Sequence, residues 1–202
     1  MEFLNQNIVL YISVYILSSI PFGYLLALKF ANVNVKNSGS GNIGATNVLR
    51  VVKETDPILA KKLGAITLFL DAIKGVIILI IAMLLDVPEN TLWAIAILAV
   101  IGHCYSIFLG FEGGKGVATA IGVLAIMVPY SALVGILVWA FSGKVLKVSS
   151  VASLIALVAL VISSYIFYPL MTHSPIWIIA IIVFYQHIPN ITRLIYKEEK
   201  AI

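Results

Sequence analysis

Two glycine clusters carry the residue types that could hold a phosphate. The first is Ser38-Gly-Ser-Gly-Asn-Ile-Gly-Ala-Thr-Asn-Val-Leu-Arg50, the longest small and polar run in a chain that is 61% hydrophobic. Its glycines let backbone N–H groups converge on one point, and Ser40, Asn42, Thr46 and Asn47 add neutral donors. Arg50 adds a planar fork suited to a phosphate. We therefore expect Ser40, Gly41, Asn42, Gly44, Ala45, Thr46 and Asn47 to face an oxyanion. The second cluster is Gly110-Phe-Glu-Gly-Gly-Lys-Gly-Val-Ala-Thr119. There Gly113, Gly114, Gly116 and Thr119 surround the point charge of Lys115, just before a predicted helix N-terminus. Neither cluster is a nucleotide-binding motif. No βαβ pattern surrounds the first, and Gly116 stands where a P-loop needs Ser or Thr.

Other candidates fall near the same membrane surface. His103 ends an apolar stretch and could bind substrate or move a proton. His187 and Asn190 exceed what a basic stop signal with Arg193 requires. Ser149, Ser150 and Ser153 open another segment, where hydroxyls could cap the helix or reach an anion. Asp71 and Lys74 lie one turn apart inside a predicted span. They form either an internal ion pair or part of a site, because charge at that depth is costly.

The elements that must position these residues are membrane helices. A mean hydropathy of +1.08 with 11% charged residues excludes an ordinary water-soluble domain. Five apolar stretches approach membrane length: Ile8–Phe30, Leu63–Leu85, Leu92–Leu109, Ser150–Tyr168 and Pro175–Tyr196. Between them, Val117–Phe141 reads as one span or as two short helices broken at Val128-Pro129-Tyr130. Charge decides between these readings. Of 13 Lys and Arg, only Lys74 lies deep within a span; the other twelve sit at span ends or in loops. With the amino terminus outside, a single crossing leaves Lys144, Lys147, Arg193, Lys197 and Lys200 on the outer side. A pair puts every basic residue inside, as the positive-inside rule prefers. The expectation is an all-α integral membrane protein of seven segments, forming a single domain over residues 1–202. Two segments are short, at about 117–128 and 130–141, and the carboxyl terminus is cytoplasmic. Asp56 and Pro57 should start the second span as N-cap and first residue. His173 reads as a solvated loop residue. The single Cys104 excludes an intrachain disulfide. The net charge of +4 is a topological bias, so no nucleic-acid partner is expected.

Three motifs, in order, then resemble a known family. They are Ser40-Gly-Asn-Ile-Gly-Ala-Thr-Asn47 with Arg50, Gly102-His103 with Gly113-Gly-Lys-Gly-Val-Ala-Thr119, and His187-Ile-Pro-Asn-Ile-Thr-Arg-Leu194. They look like those of the acyl-phosphate:glycerol-3-phosphate acyltransferases (PlsY). Ser19-Ile-Pro-Phe-Gly23, Asp71-Ala-Ile-Lys-Gly75 and Ser150-Val-Ala-Ser153 extend the likeness along most of the chain. The resemblance implies a bacterial inner-membrane enzyme, with its site on the cytoplasmic side, needing no metal or cofactor. It would move a fatty acyl group from acyl phosphate to the 1-position of sn-glycerol 3-phosphate, making lysophosphatidic acid for phospholipid synthesis. Arg50, Lys115, His103 and Ser150 would carry catalysis, with His187 and Asn190 orienting the glycerol moiety. Asp71, Lys74 and Arg193 would act in support, and a monomer is expected. Ile43, Ser106, Glu112 and Ile188 depart from the family pattern, the last two by removing positive charge. The His-x4-Asp signature of acyl-CoA-dependent acyltransferases is absent, because Phe108 occupies the acidic position after His103. A phosphate or organic-anion transporter is the other class with glycine breaks. It would need polar groups through the outer half, which is almost wholly apolar.

Overall fold

The computed structural model describes residues 2–199, and among these every regular element is helical. The first apolar stretch forms two helices, α1 (Glu2–Ser18) and α2 (Phe22–Ala31). The span expected over Ile8–Phe30 stands, as Ile8–Ala31, with a break near Pro21. Pro21 lacks an N–H, so the helical ladder breaks there. Two side chains reach carbonyls at the break: Ser106 Oγ donates to that of Ser19 at 2.6 Å, and Lys74 Nζ to that of Ile20 at 3.2 Å. The Ser106 departure from the family pattern thus has a structural use.

After the first glycine cluster comes a short amphipathic helix, α3 (Ala45–Val52). It buries Val48 and Val52 with Val35, Ile43 and Leu63. Helix α4 (Pro57–Leu84) begins as read: the Asp56 carboxylate accepts from the Ile58 and Leu59 amides, both at 2.9 Å. Helix α5 (Glu89–Cys104) is the most enclosed span. It packs Ile95, Ala96, Ala99 and Val100 against Leu79 of α4. A 3₁₀ turn at Ile107–Leu109 leads into the second glycine cluster.

Helices α6 (Val117–Met127) and α7 (Pro129–Leu146) meet at the expected break beside Pro129. Only α6 is short. Helix α7 runs past residue 141 until Lys147 takes a left-handed turn (φ +56°), so the expected end at 141 is corrected. Helix α8 (Ser149–Phe167) follows at once. The last stretch is bent by 49° between α9 (Ser174–Gln186) and α10 (Ile188–Ile195), because Pro189 cannot donate to the helical ladder. His173 is a second correction, since its ring stacks on Tyr165 with centroids 3.8 Å apart.

Among the described residues, five helical stretches are long and apolar enough to cross a membrane, or six when the bent α9–α10 pair counts as one. Large apolar residues such as Phe69, Leu137, Val158 and Ile181 stand exposed on the outer faces. Exposed apolar surface on that scale marks a lipid-facing belt.

Candidate active site

Three helices point their N-termini at one cavity of about 490 Å³. Ala45 and Thr46 of α3, Val117 and Ala118 of α6, and Ser149 and Ser150 of α8 all line it. First-turn amides have no carbonyl within their own helix, and each helix dipole places positive potential there. Arg50 and Lys115 line the same end. The combination forms an anion site built from backbone and two cations.

The first cluster is shaped by Asn47, whose polar atoms are used within the loop. Its Nδ2 donates to the carbonyls of Val35 (3.1 Å), Ser38 (3.1 Å) and Asn42 (2.7 Å). Its Oδ1 accepts from the Ser40 amide at 2.8 Å. Asn42 Oδ1 in turn accepts from the Gly44 amide at 2.8 Å. Gly41 turns the loop without lining the cavity. Thr46 Oγ1 and Ser149 Oγ share a 3.1 Å hydrogen bond that ties α3 to α8. Lys36 reaches across to the second cluster, bonding Glu112 at 2.7 Å and the Leu109 carbonyl at 3.3 Å. Glu112 therefore acts as a loop tie.

In the second cluster Gly116 adopts φ +80° to end the loop and start α6. Gly114 answers a different need. A Cβ there would lie 2.0 Å from His103 Nε2, so only glycine lets the loop lie on the imidazole. The Gly114 amide also donates to the His103 carbonyl at 3.0 Å. Gly113 packs as closely on that carbonyl, and Thr119 Oγ1 donates to the Asp71 carbonyl at 2.8 Å. Gly113, Gly114 and Thr119 thus hold the wall, while Lys115 and Gly116 line the cavity. Lys115 is half-buried, and its ammonium is pushed down to about 8, chiefly by desolvation. Glu199 opposes that shift, and the positive charges of Arg193 and Arg50 add to it.

Asp71 and Lys74 form the internal ion pair at 3.0 Å, and a third residue joins them. Lys74 Nζ lies 3.0 Å from His103 Nδ1. An ammonium can only donate, so Nδ1 is the acceptor and Nε2 carries the proton. Asp71 and His103 reach the cavity, whereas the Lys74 ammonium is committed to Asp71, His103 and the Ile20 carbonyl.

His187 and Asn190 line the cavity from the α9–α10 bend. His187 Nδ1 donates to the Val183 carbonyl at 2.7 Å, leaving Nε2 as the acceptor. Sequence reasoning missed Glu199. It accepts from Asn190 Nδ2 (2.6 Å), Arg193 Nε (2.8 Å) and Ser150 Oγ (2.9 Å). Burial alone would raise the Glu199 carboxyl, but the hydrogen bonds from Arg193, Asn190 and Ser150 hold it below its usual range. A left-handed turn at Lys197 (φ +60°) folds the tail back onto α10. The visible signal was the pair Glu198-Glu199 set in a basic tail. Arg193 does not line the cavity; it holds Glu199 and adds its charge to the field at Lys115.

The other end of the cavity is apolar, lined by Leu68, Phe69, Ile121, Leu124, Ile136, Trp139 and Leu160. A site with a cationic phosphate nest and a greasy limb suits a phosphorylated lipid. Comparison with known proteins agrees. A family model described as glycerol-3-phosphate acyltransferase matches residues 8–197. The chain belongs to the glycerol-3-phosphate acyltransferase family.

A relative of that name from Sulfurimonas denitrificans is 55% identical over 203 residues, covering 100% of both chains. Another from Aliarcobacter butzleri is 55% identical, covering 98% of each. Among solved structures, the glycerol 3-phosphate form of PlsY (YgiH), an integral membrane glycerol 3-phosphate acyltransferase, superposes with a TM-score of 0.82 at 35% identity. That match covers 98% of this chain and 96% of that one. Its lysophosphatidic acid form matches with a TM-score of 0.81 at 34% identity. These findings support an integral membrane acyltransferase and do not support the transporter reading.

Proposed function

We propose that the enzyme transfers a fatty acyl group from acyl phosphate to the 1-hydroxyl of sn-glycerol 3-phosphate. The products are lysophosphatidic acid and phosphate. The observation that carries this reading is the single cavity with a cationic, three-helix anion nest at one end and a lipid-like limb at the other. An acyl phosphate is already an activated mixed anhydride, so no covalent nucleophile is needed. The glycerol oxygen forms a bond to the acyl carbon, and the acyl carbon–phosphate oxygen bond breaks. Arg50, Lys115, Ser150 and the two glycine loops hold the phosphates side by side and stabilise the leaving one. His187 Nε2 and Asn190 orient the glycerol hydroxyl. Asn47, Gly113, Gly114 and Thr119 fix the loops, and Asp71 and Lys74 fix His103. Purified protein in lipid should make lysophosphatidic acid with acyl phosphate, and not with acyl-CoA or acyl carrier protein. Comparable rates with acyl-CoA would refute the donor assignment.

The displaced proton goes to a substrate phosphate, whose second pKa is about 6. His103 Nδ1 is occupied by Lys74, which leaves the imidazole a positioning role. His103→Gln should therefore retain measurable turnover, whereas loss of a general base costs about 10²–10⁴-fold. A loss of that size in kcat at unchanged KM, in folded protein, would make His103 the base.

The reading includes seven membrane segments with the amino terminus outside. The active site and carboxyl terminus face the cytoplasm of a bacterial cell, and the chain acts as a monomer in the inner membrane without cofactor or metal. In a Cys104→Ala background, cysteines at Glu89 or Thr172 should label from outside. Cysteines at Lys53 or Lys144 should label only after permeabilisation, since all basic loops then lie inside. Outside labelling at Lys144 would reverse this topology.

A further inference from the structure

We propose that the slot left by Gly135 against Leu160 sets the length of acyl chain that the enzyme accepts. This rests on the reading of the apolar limb as the acyl site. Three helices carry that limb to similar depths. Along α8, Leu160 stands about 15 Å from Ser150, and along α6, Leu124 stands about 12 Å from Gly116, at 1.5 Å per residue. On α7, Gly135 stands about 16 Å back from Leu146. Gly135, Leu160, Leu124 and Ile121 all line the cavity. Leu124 and Leu160 are fully enclosed, so they form a fixed end rather than a lipid-facing rim.

Gly135 is where that end is most easily changed. A Cβ at this position would stand 3.2 Å from Leu160 Cδ1, 3.4 Å from Leu160 Cβ and 3.5 Å from Ile121 Cδ1. The two Cδ1 atoms are flexible side-chain ends that can give way into the cavity, so a larger residue here takes up the space beside it. Closer to the polar end, Phe69 and Ile136 are exposed and would let the chain lean toward lipid. The terminal methylenes alone need the slot. Each methylene left without a buried place costs about fourfold in kcat/KM.

The test reads the ratio of kcat/KM for stearoyl phosphate to that for dodecanoyl phosphate within each variant, so a general loss of activity cancels. Gly135→Val should lower the ratio by on the order of tenfold, through two buried methylenes. Leu160→Ala should raise it by enlarging the slot. If Gly135→Val does not accumulate, the direction of change in Leu160→Ala decides alone. An unchanged ratio in Leu160→Ala, or a fall, overturns the proposal. If the wild type refuses acyl phosphates and uses acyl-CoA, the donor assignment fails instead. The same ratio, taken with stearoyl- and dodecanoyl-CoA, then decides the chain-length proposal.

Discussion

Lys115→Ala should lower kcat by about two to three orders of magnitude, the usual cost of one preorganised donor to developing charge. Lys115 is the point charge of a nest otherwise made of backbone amides, hydroxyls and the Arg50 fork. Its free-enzyme pKa of about 8 also makes it a pH sensor. Below that value the ammonium is charged and attracts phosphate; above it the charge, and the affinity, are lost. The second ionisation of glycerol 3-phosphate is centred near pH 6 and nearly complete by about pH 8, so the substrate does not lose charge over this range. Its kcat/KM should therefore fall as pH rises through about 8 in the wild type. That limb should move upward in Lys115→Arg, whose guanidinium stays charged. Arg50→Ala should cost a similar factor, and the double variant should lose less than the product if both grip one phosphate. Full activity of Lys115→Ala at normal protein level would place the site elsewhere.

Gly114→Ala should reduce kcat/KM about a hundredfold while the protein still accumulates in the membrane. The added methyl would meet His103 Nε2 at 2.0 Å and Cε1 at 2.7 Å. The imidazole has little room to yield, because it is 4% exposed and its far nitrogen is held by Lys74. The loop must move instead and carry Lys115 with it, and a misplacement near 1 Å costs about 10²-fold. Gly143→Ala is the matched control, since its Cβ would find an ordinary 3.7 Å contact with Ala152. A double-mutant cycle of Gly114→Ala with His103→Ala should show strong coupling, since the clash needs both residues. Wild-type rates in Gly114→Ala would remove His103 as the support of this loop.

Much of the site could be read before any coordinates, because its parts are local. The glycine clusters, the Asp56–Pro57 helix start and the break beside Pro129 each depend on a few neighbouring residues. What escaped was long-range or masked by composition. Glu199 meets Ser150 across 49 positions, and the two acids at 198 and 199 among Arg193, Lys197 and Lys200 looked like part of a stop signal. Asp71 approaches His103, 32 positions away, to within 3.5 Å, although no nearby acid marked that histidine in sequence. The break at Pro21 sat within a continuous apolar run whose hydropathy does not register a missing backbone donor. Asn47 was read as a ligand from its type. In the fold its amide atoms shape the loop that presents the other donors.

The frayed turn between α1 and α2 bears on how the chain is made. Synthesis proceeds from the amino terminus, so α1 and α2 are in the bilayer before α4 emerges. When Lys74 enters, the Ile20 carbonyl and Asp71 can already take two of its three N–H groups. Its third partner, His103, is translated 29 residues later. A charge that is costly at mid-membrane therefore arrives with most of its solvation supplied by protein already in place. The kink near Pro21 acts as a receptor for a helix that has yet to be inserted.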